Sequence, residues 1–469
     1  MRARVETVIR DEAGNILSQL APHEIDLKNQ SLHEIEGAVE NWKQQALPEI
    51  EASLLTEAQN RFTQEIKNQK FSCNGTRLVW IKTLHGKFVF SLQKYQFDAR
   101  ETNYLALTNQ LQEGYMSAKL QELCGYYSNR MSYEEVALLV EPISGERLLS
   151  DQKIGQIVNA KALKLSQDIY KSMTATLAEN HQDALTVNAK IDIYNPEEKE
   201  ILLFDDGIQV KGQKAERQQK PKQENKSQKL LEKSAPAITT DIVILREIGG
   251  GIIPPPTLSQ KANAGFEYIA APINPKGENF LFLASVVKAK VIQEYASQIS
   301  PLNLVAITDG AKTIRHRLLT IFGVAVTIIL DWYHLCKKLR EMMSMSAINK
   351  LEKTQHLKFL FSQLWQGKTS TALEYLKYLV ASRNQDKWQE LIGYLEKHQH
   401  EIINYKRRSQ VGKTIGSGWA EKGVDLTVGQ RQKNKGMSWR PLGSRALSLL
   451  KVAELNGQWQ QLWFPAQAA

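Results

Sequence analysis

Cysteine is scarce in this chain of 469 residues. The three cysteines, Cys73, Cys124 and Cys336, stand far apart and include no Cys-x-x-Cys pair. Disulfide frameworks and zinc sites need several cysteines, or cysteines and histidines, at characteristic short spacings. We therefore expect neither a disulfide scaffold nor a cysteine-based zinc site.

Long apolar runs are also missing. The longest uncharged stretches fall well short of the roughly 20 residues that a membrane-spanning helix needs. The first 17 residues carry charges throughout and lack the apolar core of a signal peptide. We expect a cytoplasmic, nucleoid-associated protein with no membrane partner.

Basic residues outnumber acidic residues, and the two kinds are unevenly distributed along the chain. The net charge is +10, yet residues 1–60 contain 5 Lys or Arg against 11 Asp or Glu. The positive excess therefore lies beyond residue 60 and indicates a polyanionic partner such as DNA or RNA. A basic protein with no such partner would share this composition. The length allows roughly two to four domains.

The N-terminal part is predicted to combine helices with one hairpin. Residues 1–70 show an acidic amphipathic pattern and are predicted to form a helical arm. Residues 71–190 begin with alternating apolar residues on both sides of His85-Gly86, which predicts a β-hairpin.

A pair of helices further along resembles a helix-turn-helix. The first is predicted over Tyr133–Val140 and broken by Pro142 and Gly145, and the second starts after Ser150-Asp151. A second helix of this kind can enter a DNA groove, although many helical hairpins bind nothing. The candidate DNA-binding residues on it are Lys153, Gln156 and Lys161.

The segment 304–335 is predicted to be a strand, a helix and a second strand. Each strand is a short apolar run rich in β-branched residues, and each ends in an acid, Asp309 or Asp331. Ligands and catalytic groups gather at the carboxyl ends of strands in α/β sheets. Alternatively, the two acids only cap the helices that follow.

Further strands are predicted on the N-terminal side of this segment. Residues 198–210 form a strand candidate that contains Asp205 and Asp206. Residues 211–237 are polar and basic without periodicity, which predicts a flexible insertion. Residues 239–248 resume the sheet, an extended piece follows near 266–273, and a helix leads into residue 304. Residues 195–335 thus form the first part of a mixed core.

The C-terminal third is predicted to be helical and basic. Residues 336–412 are interpreted as an all-α insertion, and residues 413–469 as a helix carrying Glu421 followed by a basic tail. Basic side chains in this tail are expected to contact phosphates, unless they form a solvated charged face. Trp439 could stack on a base or pack in the core. The basic candidates are Arg431, Lys433 and Lys435.

Three widely separated acids, Asp206, Asp309 and Glu421, are candidates for one site. Clustered carboxylates repel one another unless a cation binds between them. Ligand sets made only of oxygen suit Mg²⁺ or Mn²⁺, and two such ions can drive phosphoryl transfer on DNA. Asp205 adjoins Asp206, and strand alternation lets only one of the two face the site.

The order of these motifs resembles that of bacterial insertion-sequence DDE transposases, in particular the Mutator-like branch of ISKra type. The resemblance covers about residues 195–460. It is carried by FDDGIQVKGQ at Asp206, ITDGA at Asp309, LDWYHL at Asp331 and His334, GSGWAEKG at Glu421, and GQRQKNKGMSW in the tail.

This resemblance implies an α/β fold with an RNase H-like mixed sheet, an all-α insertion and an N-terminal DNA-binding region. It implies metal ligation by Asp206, Asp309 and Glu421, favours Asp206 over Asp205, and matches Asp331 and His334 to the family's D-x-x-H pair beside the site.

The expected function is metal-dependent DNA strand cleavage and strand transfer of an insertion sequence. The partners would be the terminal inverted repeats and target DNA, bound by a homo-oligomer. The alternatives are a transposon-derived DNA-binding protein without catalysis and an RNase H-like metal-dependent nuclease.

Overall fold

The computed structural model describes most of the chain. The described residues are 2–26, 31–66, 71–97, 100–108, 111, 114–179, 186–213, 236–248, 265–279, 282–295, 301–378, 382–433 and 436–465. Contacts divide the chain into two units, one of Met1–Val158 with Trp463–Ala469 and one of Asn159–Leu462. The predicted basic insertion lies almost wholly outside the described residues.

The first unit contains small antiparallel sheets and helices. Its strands are β1 (Arg2–Val5), β2 (Val8–Arg10), β3 (Ile16–Gln19), β4 (His23–Asp26), β5 (Ser72–Thr83), β6 (Gly86–Phe97) and β7 (Arg100–Asn103). Its helices are α1 (Leu32–Ile66), α2 (Tyr104–Thr108), α3 (Ala118–Ser128), α4 (Tyr133–Ser144) and the start of α5 (Asp151–Glu179). The predicted hairpin is present as β5–β6, with its turn before Gly86.

Two predictions for this unit are wrong in detail. The first 26 residues form the strand pairs β1–β4 and β2–β3 instead of helix. Helix α4 runs through Pro142 and ends only at Gly145, whose φ of 78° provides a left-handed cap. A proline in the last turn removes one backbone donor but does not have to end the helix. The second predicted helix does start at Asp151, but it is 29 residues long.

The second unit is built on a five-stranded mixed sheet. Its strands are β8 (Glu200–Lys211), β9 (Ala237–Ile248), β10 (Phe266–Ile269), β11 (Leu304–Thr308) and β12 (Thr327–Leu330). Their order across the sheet is β10-β9-β8-β11-β12. β8, β9 and β10 are antiparallel neighbours, whereas β11 runs parallel to both β8 and β12. The protein is therefore a mixed α/β protein, as predicted.

The second unit also contains helices, of which some pack on the sheet and others form the segment that follows β12. They are α6 (Leu283–Tyr295), α7 (Lys312–Phe322), α8 (Trp332–Ser346), α9 (Lys350–Trp365), α10 (Thr369–Tyr378), α11 (Gln385–Lys397), α12 (Tyr405–Gln410), α13 (Gly418–Val424), α14 (Gln430–Gln432), α15 (Pro441–Leu455) and α16 (Trp459–Trp463). The predicted all-α insertion corresponds to α8–α12.

The two faces of the sheet pack differently. On one face, Ile201 and Leu203 of β8 and Val243 and Leu245 of β9 pack with the apolar faces of α6 and α7. The neighbouring residues of β8 point to the opposite face, because side chains alternate along a strand. Asp206 lies on that opposite face and Asp205 lies on the face of α6 and α7.

Helix α13 packs closely on the second face. A Cβ atom at Gly423 would lie 2.1 Å from Cδ1 of Ile244 in β9. Only glycine allows the helix to approach the sheet this closely. This contact fixes the helix that carries Glu421 over β9, which is paired with β8, the strand that carries Asp206.

Among the described residues, no helix is both long enough and apolar enough to cross a membrane.

Candidate functional site

Asp309 and Asp331 directly follow the parallel strands β11 and β12, and Asp206 lies beside them in the middle of the neighbouring strand β8. Ile307 of β11 pairs with Phe204 of β8, and Thr308 pairs with Leu330 of β12. Continuing these registers sets Asp309 between Asp206 and Asp331. Adjacent strands lie about 4.8 Å apart, so three carboxylates meet at one edge of the sheet.

Asp309 occupies a tight turn between β11 and α7. Its Oδ1 accepts a hydrogen bond from the Ala311 N–H at 2.7 Å. The next residue, Gly310, has a φ of 86° in the left-handed region, which favours glycine. The Asp-Gly sequence thus directs the strand into the helix and holds the Asp309 carboxylate at the strand end.

Asp206 is half-buried and experiences the other acids. Burial raises the pKa of its carboxyl group, and the negative charges of Asp309 and Glu421 raise it further. The Gly207 N–H, which donates to Oδ1 at 2.7 Å, and the imidazole of His334 act in the opposite direction and lower this pKa. Residues from β8, β11 and α13 therefore act on one carboxylate.

Asp205 faces away from this cluster, into a buried ion pair. Nη1 of Arg317 on α7 donates to both carboxylate oxygens of Asp205 at 2.7 Å, and Nη2 donates to Asp241 at 2.8 Å. Burial raises the pKa of Asp205 to about 7, although the Arg317 guanidinium lowers it. At the adjacent Gly207, a Cβ would lie 2.6 Å from Oδ1 of Asp241, so a larger residue there would require the Asp241 side chain to shift.

Asp331 connects β12 to the segment before α13. Its carboxylate caps α8 by accepting from the His334 N–H at 2.8 Å. Its other oxygen accepts from the hydroxyl of Ser417 at 2.6 Å and also from the Ser417 N–H. Burial alone would raise the pKa of Asp331, but the hydrogen bonds from His334 and Ser417 lower it to about 2. Asp331 is therefore a helix cap, which was one of the two alternatives, and its role in catalysis stays a prediction.

His334 stands between Asp331 and Glu421. Its Nδ1 lies 3.7 Å from Oδ1 of Asp331 and its Nε2 lies 3.8 Å from Oε1 of Glu421. These distances are longer than hydrogen bonds and correspond to charge contacts. Asp331 has the largest influence and raises the pKa of His334, as do the charges of Asp309 and Glu421, while burial lowers it. The net result is a raised pKa that favours the imidazolium.

Glu421 approaches Asp206 from α13, the helix that packs on the second face of the sheet. It lies on α13, and its side chain is 63% exposed. Five residues of π-helix, Asp425–Gly429, follow α13 directly. Insertions of this kind within α-helices are frequent at functional sites.

The donor set can be compared with what a divalent cation requires. The three carboxylates supply only oxygen donors, which is the chemistry that Mg²⁺ and Mn²⁺ prefer. As placed, no three His, Cys, Asp or Glu side chains of the described residues are grouped closely enough to hold a metal ion. The donor chemistry therefore fits the ion, but the site is not closed around one.

Ser417, Tyr333 and Gly416 contribute to the site but were not singled out from the sequence. A Cβ atom at Gly416 would lie 2.7 Å from the ring of Tyr333, so this glycine lets the chain pass against α8. The Trp332 N–H also donates to the carbonyl of Ile415 at 3.2 Å. The signal for these contacts is the GSG sequence, which was considered only as part of the motif GSGWAEKG around Glu421.

The structure buries two of the four tail residues predicted to bind DNA. Arg431 and Trp439 are 7% and 8% exposed, and the Arg431 guanidinium lies over the Trp439 ring at 4.9 Å. Nε1 of Trp439 donates to the carbonyl of Gln432 at 3.0 Å. As placed, neither side chain offers a surface to DNA, because each fills the interior beside the end of β8. Lys433 is exposed, and Lys435 lies outside the described residues.

The three N-terminal DNA-binding candidates lie on α5. Gln156 is exposed, whereas Lys153 and Lys161 are half-buried. Burial and the nearby charge of Lys164 lower the pKa of Lys161 to about 8. Their contact with DNA stays a prediction.

No protein-family model matches the chain, and no curated protein sequence matches it.

Proposed function

We propose that this chain is a DDE transposase that cleaves and joins DNA strands through metal-dependent phosphoryl transfer. One observation carries the proposal. The strand register sets Asp309 beside Asp206 of β8, and the charges of Asp309 and of Glu421 on α13 raise the pKa of Asp206. Such an arrangement of like charges is unfavourable without a cation, so its presence supports a cation-binding role.

The topology supports an RNase H-like core within this proposal. An antiparallel β8–β9–β10 set followed by β11 and β12 parallel to β8 is the arrangement that the resemblance implies. The candidate acids lie on β8, just after β11 and on the helix that packs over β8 and β9. The long helical segment between β12 and α13 agrees with the all-α insertion expected from the same resemblance.

In this proposal Asp206, Asp309 and Glu421 would hold Mg²⁺ or Mn²⁺. When bound, the metal ions would activate the attacking oxygen and stabilise the leaving oxygen. The chain itself supplies the positions of the ligands. Asp331 fixes the start of α13 through Ser417, and His334, when protonated, would offset negative charge between Asp331 and Glu421.

The ion pair between Arg317 and Asp205 keeps the Asp205 carboxylate on the opposite face of the sheet, away from this site. Arg317 holds Asp205 on the opposite face, so only Asp206 of the adjacent pair faces Asp309 and Glu421. This supports the choice of Asp206 as the ligand from β8.

The test is cleavage of a supercoiled plasmid that carries the DNA flanking the coding sequence. We expect Asp206→Ala, Asp309→Ala and Glu421→Ala each to reduce cleavage in Mg²⁺ or Mn²⁺ by roughly 1,000-fold or more. Binding of the same DNA should persist in all three. Glu341→Ala, which removes an exposed acid of α8, is the matched control and should cleave normally.

The products distinguish the proposed activity from its alternatives. Joined products with short target duplications support a transposase, whereas nicks without joining indicate an RNase H-like nuclease. Cleavage that is equal in every variant would remove the basis for the proposal. DNA binding with no cleavage by the wild-type protein would favour a binding protein without catalysis.

A further inference from the structure

A residue of the helical insertion covers the turn that carries Asp309. A Cβ atom at Gly310 would lie 3.0 Å from Cε1 and 3.3 Å from Nε2 of His398, and 2.9 Å from Cδ1 of Leu330. His398 follows α11 directly and is 1% exposed. The imidazole edge therefore forms one wall of the Asp309-Gly310 turn.

Glu401 fixes this imidazole and ties it to both sides of the turn. Its Oε2 lies 2.5 Å from Nδ1 of His398, and its Oε1 lies 3.0 Å from Nη1 of Arg315 on α7. Its backbone carbonyl accepts from the Leu330 N–H at 2.9 Å. One glutamate thus connects the insertion, the strand beside the turn and the helix after it.

The second ring nitrogen of His398, Nε2, makes no hydrogen bond among the described residues that would explain its burial. An apolar side chain would leave Oε2 of Glu401 without its partner, so Nδ1 accounts for an imidazole at this position while Nε2 faces the turn without a hydrogen bond to any residue that the structure describes. The neighbouring ring of Tyr394 lies 4.8 Å from that of His398. Burial raises the pKa of Tyr394, and the charge of Asp309 raises it further.

We propose that His398 is a positioning residue for Asp309, so that the helical insertion helps to shape the site instead of only spacing its elements. Glu401 orients the imidazole, and the imidazole holds the Asp309-Gly310 turn against β12. The inference rests on the proposed function for its consequence in catalysis. Its structural part, control of the turn by His398, can be tested without any activity.

The first measurement is amide hydrogen exchange at Gly310 and Ala311 in the full chain. His398→Leu keeps most of the volume but removes both nitrogens, and we expect exchange at these two amides to rise about tenfold. His398→Gln places a polar group near the Nε2 position and should restore part of the protection. Leu376→Ala, at a buried position of α10, is the control for general destabilisation and should leave the ratio of turn to core exchange unchanged.

The second measurement is the cleavage rate with saturating DNA in Mn²⁺, beside the affinity for DNA. His398→Leu should lower the cleavage rate at least tenfold with unchanged DNA affinity, and His398→Gln should recover part of the rate. Unchanged exchange at the turn, or an equal rise in Leu376→Ala, would overturn the inference. Raised exchange with an unchanged cleavage rate would overturn its catalytic part. If the wild-type protein does not cleave, the proposed function fails while the exchange result still decides the role of His398.

Discussion

The carboxylate of Asp331 and the backbone and hydroxyl of Ser417 form a buried clamp between β12 and α13. Asp331 is 2% exposed and Ser417 is 4% exposed. One carboxylate oxygen accepts both bonds from Ser417, while the other caps α8. The clamp determines where α13 begins, and therefore where Glu421 stands relative to Asp206.

We predict different losses of stability when the two halves of this clamp are removed. Ser417→Ala loses the hydroxyl bond but keeps the backbone bond, so unfolding free energy should fall by about 1 kcal/mol. Asp331→Ala leaves buried N–H groups without an acceptor and should lose about 3 kcal/mol or more. Urea denaturation measures both values. Ser409→Ala, at an exposed position of α12, is the control, and a Ser417→Ala loss no larger than that of the control would contradict the clamp.

The clamp also predicts a dependence of stability on pH. Hydrogen bonds hold the pKa of Asp331 at about 2, below its ordinary value of 3.8. A lowered pKa stabilises the folded state at pH values above the ordinary pKa, and that contribution disappears as pH falls through 3.8 towards about 2. The contribution at neutral pH is about 2 kcal/mol.

Asp331→Asn should remove this part of the pH dependence. Asparagine can still cap α8, but its amide nitrogen cannot accept from Ser417 and it does not titrate. The difference in unfolding free energy between the wild-type protein and the variant should therefore shrink as pH is lowered below about 4. Parallel pH profiles for the two proteins would show that Asp331 does not titrate in this way.

The pair Arg317–Asp205 predicts an asymmetry between its two partners. Arg317→Met leaves Asp205 buried without its cation and should reduce unfolding free energy by about 3–5 kcal/mol. Asp205→Ala should cost less, because Arg317 is still bonded to Asp241. Chemical denaturation compares the two, with Lys312→Met at an exposed position of the same helix as control. Equal losses, or a larger loss for Asp205→Ala, would contradict this description of the ion pair.

Local sequence patterns predicted the sheet better than they predicted the ends of the chain. The run Leu304–Thr308 was predicted as a strand and is one, because a β-branched apolar run of this length suits a buried central strand. The strands of the first 26 residues are three or four residues long and contain no fully buried residue, so they carry little periodic signal. Pro142 was predicted to end the helix, but it lies in the last turn of α4, and the sequence alone does not show where that turn ends.

The site was predictable as a set of acids but not as a set of contacts. The end of a predicted strand indicated Asp309, alternation allowed only one of Asp205 and Asp206 to face the site, and the family resemblance favoured Asp206. Arg317 and Ser417 meet their acids only through the tertiary fold, from positions 112 and 86 residues away in the chain. Trp439 shows the same limit, since nothing local distinguishes a tryptophan that fills the core from one that stacks on DNA.

The basic tail offers a direct comparison between a buried and an exposed cation. Arg431 is buried against Trp439, whereas Lys433, two residues later, is exposed. We predict that Lys433→Ala weakens DNA binding and lowers the slope of log affinity against log salt by about one, because one phosphate contact is lost. Its unfolding free energy should be unchanged.

Arg431→Ala should show the opposite pattern. Removal of the buried guanidinium over the Trp439 ring should lower the urea midpoint, because a cavity is left behind and the cation–π contact is lost. The salt slope of the folded variant should equal that of the wild-type protein, because the buried Arg431 does not contact phosphate. If Arg431→Ala lowers the salt slope and leaves the urea midpoint unchanged, then this arginine leaves the interior to bind DNA and the tail rearranges on binding.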